Sequence, residues 1–406
     1  MTEVLDHRSL YRLPWSLPDN TIAWLEPTSQ CNLYCEGCYR ENVKEHKSLA
    51  EISDELDVFA KFRKFDGVSI AGGDPLMHPD VVKIVELCAN RGYKPVINTN
   101  GLALNEGLLG DLKSAGVVGF TFHVDSGQNR PLWKGKTELE LNELRLHLAQ
   151  MVAQVGDISC AFNSTIYGHT LKDVPDLVAW AQEHIDIVHV MVFILYRAAV
   201  LDGEFDYYAG GKRVDMTPLA YSYPSNREQR VDLNAREVVQ TIRQRFPDFA
   251  PSAYLNGTEN ADSFKWLMAG RLGTRNRIYG YVGPKSVELV QTGHHLWTGR
   301  YLAYASPAML RRGKLMLALA PFDKSIRRAA LAAVCDPRLL REPLHYQSIA
   351  IIQPIDVLPD GRQSMCDGCP DMTVHNGQLA WSCRLEECRK FGRFIQTVPK
   401  ESNLVV

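Results

Sequence analysis

The chain has 406 residues, of which 45% are hydrophobic, and 45 basic against 47 acidic side chains give it a formal net charge of −2. This length allows one large domain or two to three smaller ones with an ample core, and the near-neutral charge gives no reason to expect a nucleic-acid partner. Residues 1–8 lack an apolar signal core, and no later apolar run is long enough to cross a membrane. A cytoplasmic protein is therefore expected.

Apolar and β-branched runs alternate along the chain with segments of helical spacing. After a polar lead-in over 1–19, the runs predict six strands, which end near residue 27 and lie at 68–70, 95–98, 117–124, 158–165 and 187–195. The segments between them predict helices at 49–65, 80–89, 107–114, 141–155 and 174–183.

Strands that alternate with helices imply a parallel sheet. The predicted fold class is therefore α/β, with a partial (β/α)6 barrel of the TIM type over 20–200, a helical insert over 201–345 and a small cysteine-rich extension over 346–406. Barrels of this kind place their active sites at the carboxyl ends of the strands.

A loop with three cysteines follows the first strand. Cys31, Cys35 and Cys38 have the spacing C-x3-C-x2-C, and three thiolates on one loop can hold three irons of a four-iron cluster, leaving the fourth iron open. A structural zinc site or three buried thiols are the alternatives. Zinc sites usually have four protein ligands, and no fourth ligand is evident near this loop.

This loop resembles the cluster motif of the radical S-adenosylmethionine (SAM) superfamily, whose open iron binds the methionyl end of SAM. In that family an aromatic residue usually precedes the third cysteine, whereas here Gly37 does and Tyr39 follows. The resemblance implies a 4Fe-4S cluster and SAM as cofactors, with Tyr39 as a candidate contact. It also implies an external one-electron reductant such as flavodoxin or ferredoxin. A 5′-deoxyadenosyl radical would then abstract hydrogen from an unactivated C–H bond.

Two further groups of residues match the family's cofactor site. The turn Gly72-Gly73-Asp74-Pro75 resembles the family's Gly-Gly-Glu-Pro segment, which binds the amino group of SAM, and glycine lets the backbone approach a ligand closely. The second group consists of residues near strand ends, namely His123, Asp125, Ser126, Asn163, Ser164 and Phe193. An ordinary turn and structural hydrogen bonds are the alternatives.

The insert over 201–345 is expected to shape the substrate site, with helices near 235–246 and 262–272. Within it, residues 309–334 join the apolar run 315–319 to six basic residues, and Pro321 divides the segment. Such a segment can rest on an anionic membrane or accept an amphiphile's head group, so an apolar or lipid substrate and peripheral membrane contact are hypotheses. A packed helix pair with a solvated basic face is the alternative.

A second cysteine group lies near the C-terminus. Cys366, Cys369, Cys383 and Cys388 begin with a C-x2-C pair and fit zinc or a second iron–sulfur cluster. Cysteine-rich C-terminal extensions commonly hold auxiliary clusters in the radical SAM superfamily, so the resemblance favours an auxiliary 4Fe-4S cluster. If Cys388 is not a ligand, three cysteines leave an open iron there too, and Asp371, His375 and Glu386 lie close enough in sequence to serve as unusual ligands.

Two other functions remain open at this point. One is a peptide-modifying radical SAM maturase, although the lead-in over 1–19 is too short to fold alone as a peptide-recognition domain. The other is a non-catalytic iron–sulfur electron carrier, which the glycine-rich turn and the predicted barrel argue against.

Overall fold

The computed structural model describes residues 5–197, 204–219 and 230–400. A short strand, β1 (Tyr11–Arg12), precedes an alternating series of strands and helices. The strands are β2 (Ile22–Thr28), β3 (Gly67–Gly72), β4 (Lys94–Thr99), β5 (Gly119–His123), β6 (Ser159–Ile166) and β7 (Val190–Leu195). The helices are α1 (Leu49–Phe62), α2 (Val81–Asn90), α3 (Glu106–Ser114), α4 (Asn142–Val155) and α5 (Val174–Glu183).

Strands β2 to β7 pair in chain order, and every pair is parallel. The six predicted strands, the five predicted helices and the partial (β/α)6 barrel are confirmed. Because the strands are parallel, their carboxyl ends meet at one edge, which is where this architecture assembles functional loops.

Alternate residues of each strand pack against the helices and form the main core. Phe122 and Phe162, on neighbouring strands, lie with ring centroids 5.8 Å apart, and Phe162 meets Trp180 of α5 edge-on at 5.7 Å. Both phenylalanines are fully buried, and burying such a side chain stabilises the fold by roughly 1.5–3 kcal/mol. The opposite face of the strands lines the lumen of the barrel.

The rest of the chain adds further strands and helices. The strands are β8 (Phe205–Ala209), β9 (Lys212–Arg213), β10 (Ala253–Asn256), β11 (Phe264–Gly273), β12 (Ile278–Tyr281), β13 (His345–Ile352), β14 (Asp356–Val357), β15 (Gln363–Ser364), β16 (Met372–His375), β17 (Gln378–Trp381) and β18 (Gln396–Pro399). The helices are α6 (Ala235–Arg245), α7 (Pro284–Thr298), α8 (Pro307–Leu310), α9 (Lys324–Val334) and α10 (Leu385–Phe391). Within the described ranges, no helix is both long enough and apolar enough to cross a membrane.

The helix predicted over 262–272 is wrong, because this segment forms strand β11. It pairs antiparallel with β13 over eight residues, from Trp266 with Ile352 to Gly273 with His345, and β13 pairs parallel with β7. Buried residues on both faces of β11 remove the alternation that would have marked a strand. Strands β10, β11 and β12 of the insert, together with β1 and β13, extend the six barrel strands to a sheet of 11 strands among the described residues, so the insert is not wholly helical. The helix predicted near 235–246 is confirmed as α6.

The C-terminal region packs along β2, the last strand at one end of the sheet. Arg63, which is 3% exposed, donates hydrogen bonds to the carbonyl of Ile22 at 3.0 Å, of Cys369 at 3.0 Å and of Pro370 at 2.9 Å. At Gly368 an added Cβ would lie 2.1 Å from the carbonyl oxygen of Trp15. The second cysteine group is thus fixed against the barrel.

Replacing Arg63 by alanine should lower the free energy of unfolding by at least roughly 1–3 kcal/mol, the cost of leaving one buried acceptor unpaired. The surface variant Lys83→Ala, which removes an exposed ion pair with Asp80, should change it little. Urea titrations of both variants measure the difference. Equal midpoints for the two variants would contradict the role given to Arg63.

Candidate active site

The first cysteine loop begins where β2 ends. The side chain of Asn42 fixes its start, since Asn42 Oδ1 accepts from the amide of Cys31 at 2.9 Å and Asn42 Nδ2 donates to the carbonyl of Cys31 at 2.9 Å. Cys31, Cys35 and Cys38 are all half-buried and none of them is in a disulfide. Three free thiols are therefore held on one short loop at the carboxyl edge of the sheet.

Two tyrosines support the middle of this loop. Tyr167 Oη donates to the carbonyl of Glu36 at 3.0 Å, and the amide of Glu36 donates to the carbonyl of Gly127 at 2.9 Å. Gly37 has φ +74°, and a Cβ there would lie 2.7 Å from the ring of Tyr196. Tyr196, which follows β7, thus occupies the space beside the position where related motifs carry an aromatic residue. No sequence motif marks Tyr167.

The thiol environment fits an iron–sulfur cluster. Burial raises the pKa of Cys31 to about 11, and the nearby Asp74 carboxylate and Cys38 thiol act in the same direction. Burial also raises the pKa of Cys35 and Cys38. Thiolates are the form that binds metal, so deprotonation of these thiols calls for the positive charge of bound iron.

Among residues 5–197, 204–219 and 230–400, no three or more His, Cys, Asp or Glu side chains are grouped to hold a single metal ion. In a four-iron cluster each thiolate binds its own iron, so the ligands need not meet at one point. Two polar groups face Cys31 Sγ: the amide of Leu33 at 3.4 Å and Asn100 Nδ2 at 3.7 Å. Hydrogen bonds to sulfur of this kind tune a cluster's potential.

The predicted glycine turn wraps around the chain that leads into the cysteine loop. Gly72 has φ +112°, and an added Cβ would lie 2.4 Å from the carbonyl oxygen of Thr28. At Gly73 it would lie 2.3 Å from the carbonyl oxygen of Gln30. Only glycine fits this close backbone approach.

The carboxylate of Asp74 is engaged in hydrogen bonds within the protein. It is 1% exposed, and its carboxylate accepts hydrogen bonds from Thr99 Oγ1 at 2.9 and 2.8 Å, from the amide of Asn100 at 2.8 Å and from the amide of Leu76 at 3.0 Å. Burial raises its pKa, although these hydrogen bonds oppose the rise. At this turn the groups left for a ligand belong to the backbone.

The end of β5 carries a hydrogen-bonded pair that includes two predicted residues. His123 Nε2 lies 2.7 Å from Asp125 Oδ2 and 3.1 Å from Thr165 Oγ1 on β6. Burial would raise the pKa of Asp125, but the His123 imidazole and further hydrogen bonds lower it overall. The side chain of His123 is 34% exposed, so its ring is the accessible member of the pair. Ser126 follows, and its amide donates to Glu138 Oε1 at 2.6 Å.

Ser164 and Phe193 face the helices and not the lumen, which corrects their predicted cofactor contacts. Ser164 Oγ donates to the buried Glu138 at 3.2 Å, and Phe193, its register partner, is 0% exposed in the main core. The prediction used the positions of strand ends without the alternation of side chains along a strand. Asn163 lies on the lumen face.

Two asparagines leave buried polar atoms without a hydrogen-bond partner among the described residues. They are Asn163 Oδ1 on β6 and Asn98 Nδ2 on β4. Buried polar groups are normally paired, so these two atoms are candidates to bind a cofactor or substrate. Asn98 was not singled out from the sequence, because nothing in its neighbourhood marks it.

Arg130 is a further residue that the sequence did not reveal. It is 4% exposed, and its guanidinium donates to Gln128 Oε1 at 2.7 Å, to the carbonyl of His123 at 2.7 Å and to the carbonyl of Asn100. Its charge acts on the Cys35 thiol, whose pKa it lowers against the effect of burial. Arg130 thus places a buried positive charge beside the cysteine loop.

A buried ion pair joins the first cysteine loop to the second cysteine group. Arg40, two residues after Cys38, donates to Glu26 Oε2 at 2.8 Å and to the carbonyl of Ser382 at 2.9 Å. Ser382 Oγ in turn donates to Glu26 Oε1 at 2.7 Å. Tyr39 is 45% exposed, and its ring lies 5.1 Å from the Arg40 guanidinium. The Tyr39 side chain also hydrogen-bonds with Ser382.

Three of the four C-terminal cysteines interact with one another. A hydrogen bond with Cys366, together with burial, raises the pKa of the Cys369 thiol. Burial raises the pKa of Cys383 to about 12, and the Cys369 thiol acts in the same direction. Asp371 Oδ1 is buried there with no partner in the described ranges. Cys388 lies on α10, where the charges that act on its thiol are Glu387 and Arg384.

The chain was compared with known proteins. The family model described as the Radical SAM superfamily matches residues 25–196. A probable GTP 3′,8-cyclase of Methanocaldococcus jannaschii is 28% identical over 171 residues, covering 41% of this chain and 57% of that protein. A GTP 3′,8-cyclase of Streptomyces coelicolor is 26% identical, covering 60% of this chain and 65% of that protein. The chain therefore spans less than two thirds of these relatives.

Two solved structures are similar to this chain at a lower level. SuiB of Streptococcus suis bound to S-adenosylmethionine is 17% identical, with a TM-score of 0.36, and the match covers 46% of this chain and 42% of SuiB. Methylornithine synthase, PylB, is 13% identical, with a TM-score of 0.38, covering 57% of this chain and 63% of PylB. The stretch over 25–196, which contains the cysteine loop and the glycine turn, is therefore similar to the radical SAM superfamily of enzymes.

Proposed function

We propose that the protein binds a 4Fe-4S cluster through Cys31, Cys35 and Cys38 and uses it with SAM to abstract hydrogen from an unactivated C–H bond. The observation that carries this proposal is three free, half-buried thiols on one loop at the carboxyl edge of a parallel barrel. When bound, the cluster and SAM would supply the electron and the carbon radical that this chemistry needs.

The protein's own part is to bind and orient. The turn at Gly72 and Gly73 packs against the carbonyls of Thr28 and Gln30 at the start of the cysteine loop, and the resemblance implies that this turn would bind the amino group of SAM. His123, fixed by Asp125, offers a ring nitrogen at the end of β5. Asn163 Oδ1 offers an unused acceptor on the next strand. Together these groups supply donors and acceptors along one side of the lumen.

A second task is to keep water and other hydrogen sources away from a radical. Tyr304 packs at the amino-terminal part of β3, where its hydroxyl lies 2.5 Å from Ser69 Oγ. A Cβ at Gly67 would lie 2.8 Å from the Tyr304 ring, so the ring fits tightly against this strand. The opposite end, with the cysteine loop, is left for the substrate to enter.

We also propose an auxiliary cluster held by Cys366, Cys369 and Cys383. The mutual influence of their thiols supports this set, and the unpaired Asp371 Oδ1 supports a carboxylate as fourth ligand in place of Cys388. Such a cluster could accept the electron of a product radical or anchor the substrate. Four cysteines around zinc, the alternative from the sequence, would instead need Cys388 beside the other three.

For the substrate and the partners, the proposal gives chemical classes and no individual molecules. Relatives include GTP 3′,8-cyclases and a cofactor-modifying protein of Pyrococcus furiosus that is 30% identical over 110 residues, covering 25% of this chain and 30% of that protein. These names support a small polar substrate, and the unpaired Asn98 Nδ2 in the lumen agrees with it. A lipid or other apolar substrate is the second candidate, supported by the exposed apolar and basic side chains over 309–341. A reductant such as flavodoxin or ferredoxin, in the cytoplasm, completes the proposal.

The variant Cys35→Ala should lose the SAM-binding cluster, because two thiolates hold two irons and leave the cluster exposed to loss. Iron analysis should show about four fewer irons per chain, and the electron paramagnetic resonance (EPR) signal that changes on adding SAM should disappear. Cys88→Ala, which removes a thiol buried in the core, is the matched control. An unchanged SAM-responsive signal in Cys35→Ala would contradict the assignment.

Asp371→Asn should alter the EPR signal of the auxiliary cluster, and Cys383→Ala should remove it, whereas Cys388→Ser should leave it intact. The physical reason is that Asp371 Oδ1 is buried beside the other thiols, has no hydrogen-bond partner among the described residues and is therefore free to bind iron. Cys388 has no such position. Loss of the auxiliary signal in Cys388→Ser, with Asp371→Asn unchanged, would show that Cys388 is the fourth ligand.

Deuterium transfer distinguishes the two substrate candidates. The reduced enzyme would be given either a deuterium-labelled lipid extract or a deuterium-labelled water-soluble extract of its source cells. Mass spectrometry would then measure the deuterium content of the 5′-deoxyadenosine that forms. We expect deuterium from the soluble extract. Deuterium only from the lipid extract would reverse the order of the candidates.

A further inference from the structure

The segment over 309–341 folds as three short pieces with one common inner side. These are the end of α8, a 3-10 helix over Gly313–Leu319 and helix α9, followed by a turn over Pro337–Leu340. Pro321 lies between the 3-10 helix and α9, as predicted from the sequence. Apolar side chains from the 3-10 helix, α9 and the turn pack into one cluster against β11 and β12, including Leu317, Ile326, Ala329, Ala333 and Leu339. Because their inner sides share one cluster, their outer sides form one surface.

Side-chain hydrogen bonds hold the pieces together. Lys314 Nζ donates to the carbonyl of Leu339. The Arg327 guanidinium donates to the carbonyl of Ala320 at 3.2 Å and of Pro321 at 3.1 Å. The surface is therefore a fixed feature of the fold.

Large apolar side chains on this surface point into solvent. They are Met309 at 63%, Leu315 at 65%, Phe322 at 66%, Leu331 at 65%, Val334 at 84% and Leu340 at 86% exposure. A helix pair with a merely solvated basic face would not carry six such side chains, since contiguous exposed apolar area marks an interaction site.

The charges between these side chains are mostly positive. The exposed basic residues are Arg311, Arg312, Lys314, Lys324, Arg327, Arg328, Arg338 and Arg341. The acidic residues over 309–341 are Asp323 and Asp336, and both are buried; the next residue, Glu342, is exposed, and its charge acts on Arg338. Asp323 caps α9 and also accepts from the amide of Ser286 at 2.9 Å, and Asp336 binds Tyr279 and Arg338. Seven of the eight cations therefore have no carboxylate partner among the described ion pairs.

We propose that residues 309–341 form a docking surface for an anionic lipid membrane. Apolar side chains that enter the headgroup boundary, set among unpaired cations that face anionic headgroups, are the combination that binds peripheral proteins to membranes. On α9, Lys324, Arg328 and Leu331 follow at helical spacing and share the outward face. An acidic protein partner would match the charge, but it would not by itself account for six apolar side chains spread along an outer surface.

Docking here leaves the cysteine loop accessible. The amide of Gly313 donates to the carbonyl of Leu344 at 2.7 Å, and Leu344 directly precedes β13, which runs parallel to β7. The surface therefore adjoins the amino-terminal end of the sheet, whereas the loop of Cys31 lies at the carboxyl end. A membrane-bound molecule would keep that loop open to a soluble reductant. The proposal stands without the proposed reaction, because it concerns a different face.

The test is sedimentation of the full-length protein with vesicles of phosphatidylglycerol and phosphatidylcholine, against vesicles of phosphatidylcholine alone. We expect binding to the anionic vesicles that weakens in 1 M salt, where charge interactions are screened. Lys324→Glu/Arg328→Glu should bind about 25-fold more weakly or worse, from roughly fivefold per cation removed. The control Lys83→Glu/Lys212→Glu changes two exposed cations elsewhere and should bind like the unaltered protein.

A second variant tests the apolar half of the surface. Leu331→Ser/Val334→Ser replaces side chains that are 65% and 84% exposed, so the fold should persist, and binding should fall roughly tenfold or more. Failure of the unaltered protein to sediment with anionic vesicles overturns the proposal. Equal binding of the vesicles by either surface variant and by the control variant also overturns the proposal. The same holds if the unaltered protein binds a purified acidic protein but does not bind the vesicles. None of these readouts depends on SAM cleavage.

Discussion

The buried ion pair between Arg40 and Glu26 is the constraint on which the functional half of the molecule depends. Both side chains are at most 3% exposed, and removing one partner of such a pair typically costs about 3–5 kcal/mol, because the other charge is left buried and unpaired. Ser382 completes the pair from the C-terminal region. Arg40 lies two residues after Cys38 of the first cysteine group, and Ser382 directly precedes Cys383 of the second. One electrostatic unit therefore fixes two cysteine groups that are more than 300 residues apart in the chain.

The parallel sheet gives the rest of the site its geometry. Because β2 to β7 pair in chain order, the cysteine loop, the glycine turn and the ends of β5 and β6 meet at one edge. Close packing then sets individual positions. Gly37 must be glycine because Tyr196 fills the adjacent space, and Arg130 connects the ends of two strands through backbone carbonyls while its charge lies beside Cys35. The lumen thus combines fixed polar groups with a buried positive charge.

The sequence revealed the parts of the fold that depend on local patterns. Six alternating strands and helices follow from side-chain periodicity, and the cysteine loop from its spacing. Periodicity failed at β11, where both faces are buried and pairing with β13 decides the structure. The prediction for Ser164 and Phe193 did not take into account which face of its strand each side chain occupies. Both side chains point to the helices. Arg130 and Asn98 could not be found in advance, because their roles come from contacts between residues distant in sequence.

Reductive cleavage of SAM at the Cys31 loop is measured most directly by chromatography of 5′-deoxyadenosine. The anaerobically reconstituted protein would be reduced, supplied with SAM and with the soluble and lipid extracts, and compared with Cys35→Ala treated in the same way. We predict 5′-deoxyadenosine and methionine in equal amounts from the unaltered chain and neither from the variant. An unaltered protein that carries the cluster by EPR, yet forms no more 5′-deoxyadenosine than Cys35→Ala, would contradict this account and favour a non-catalytic electron carrier.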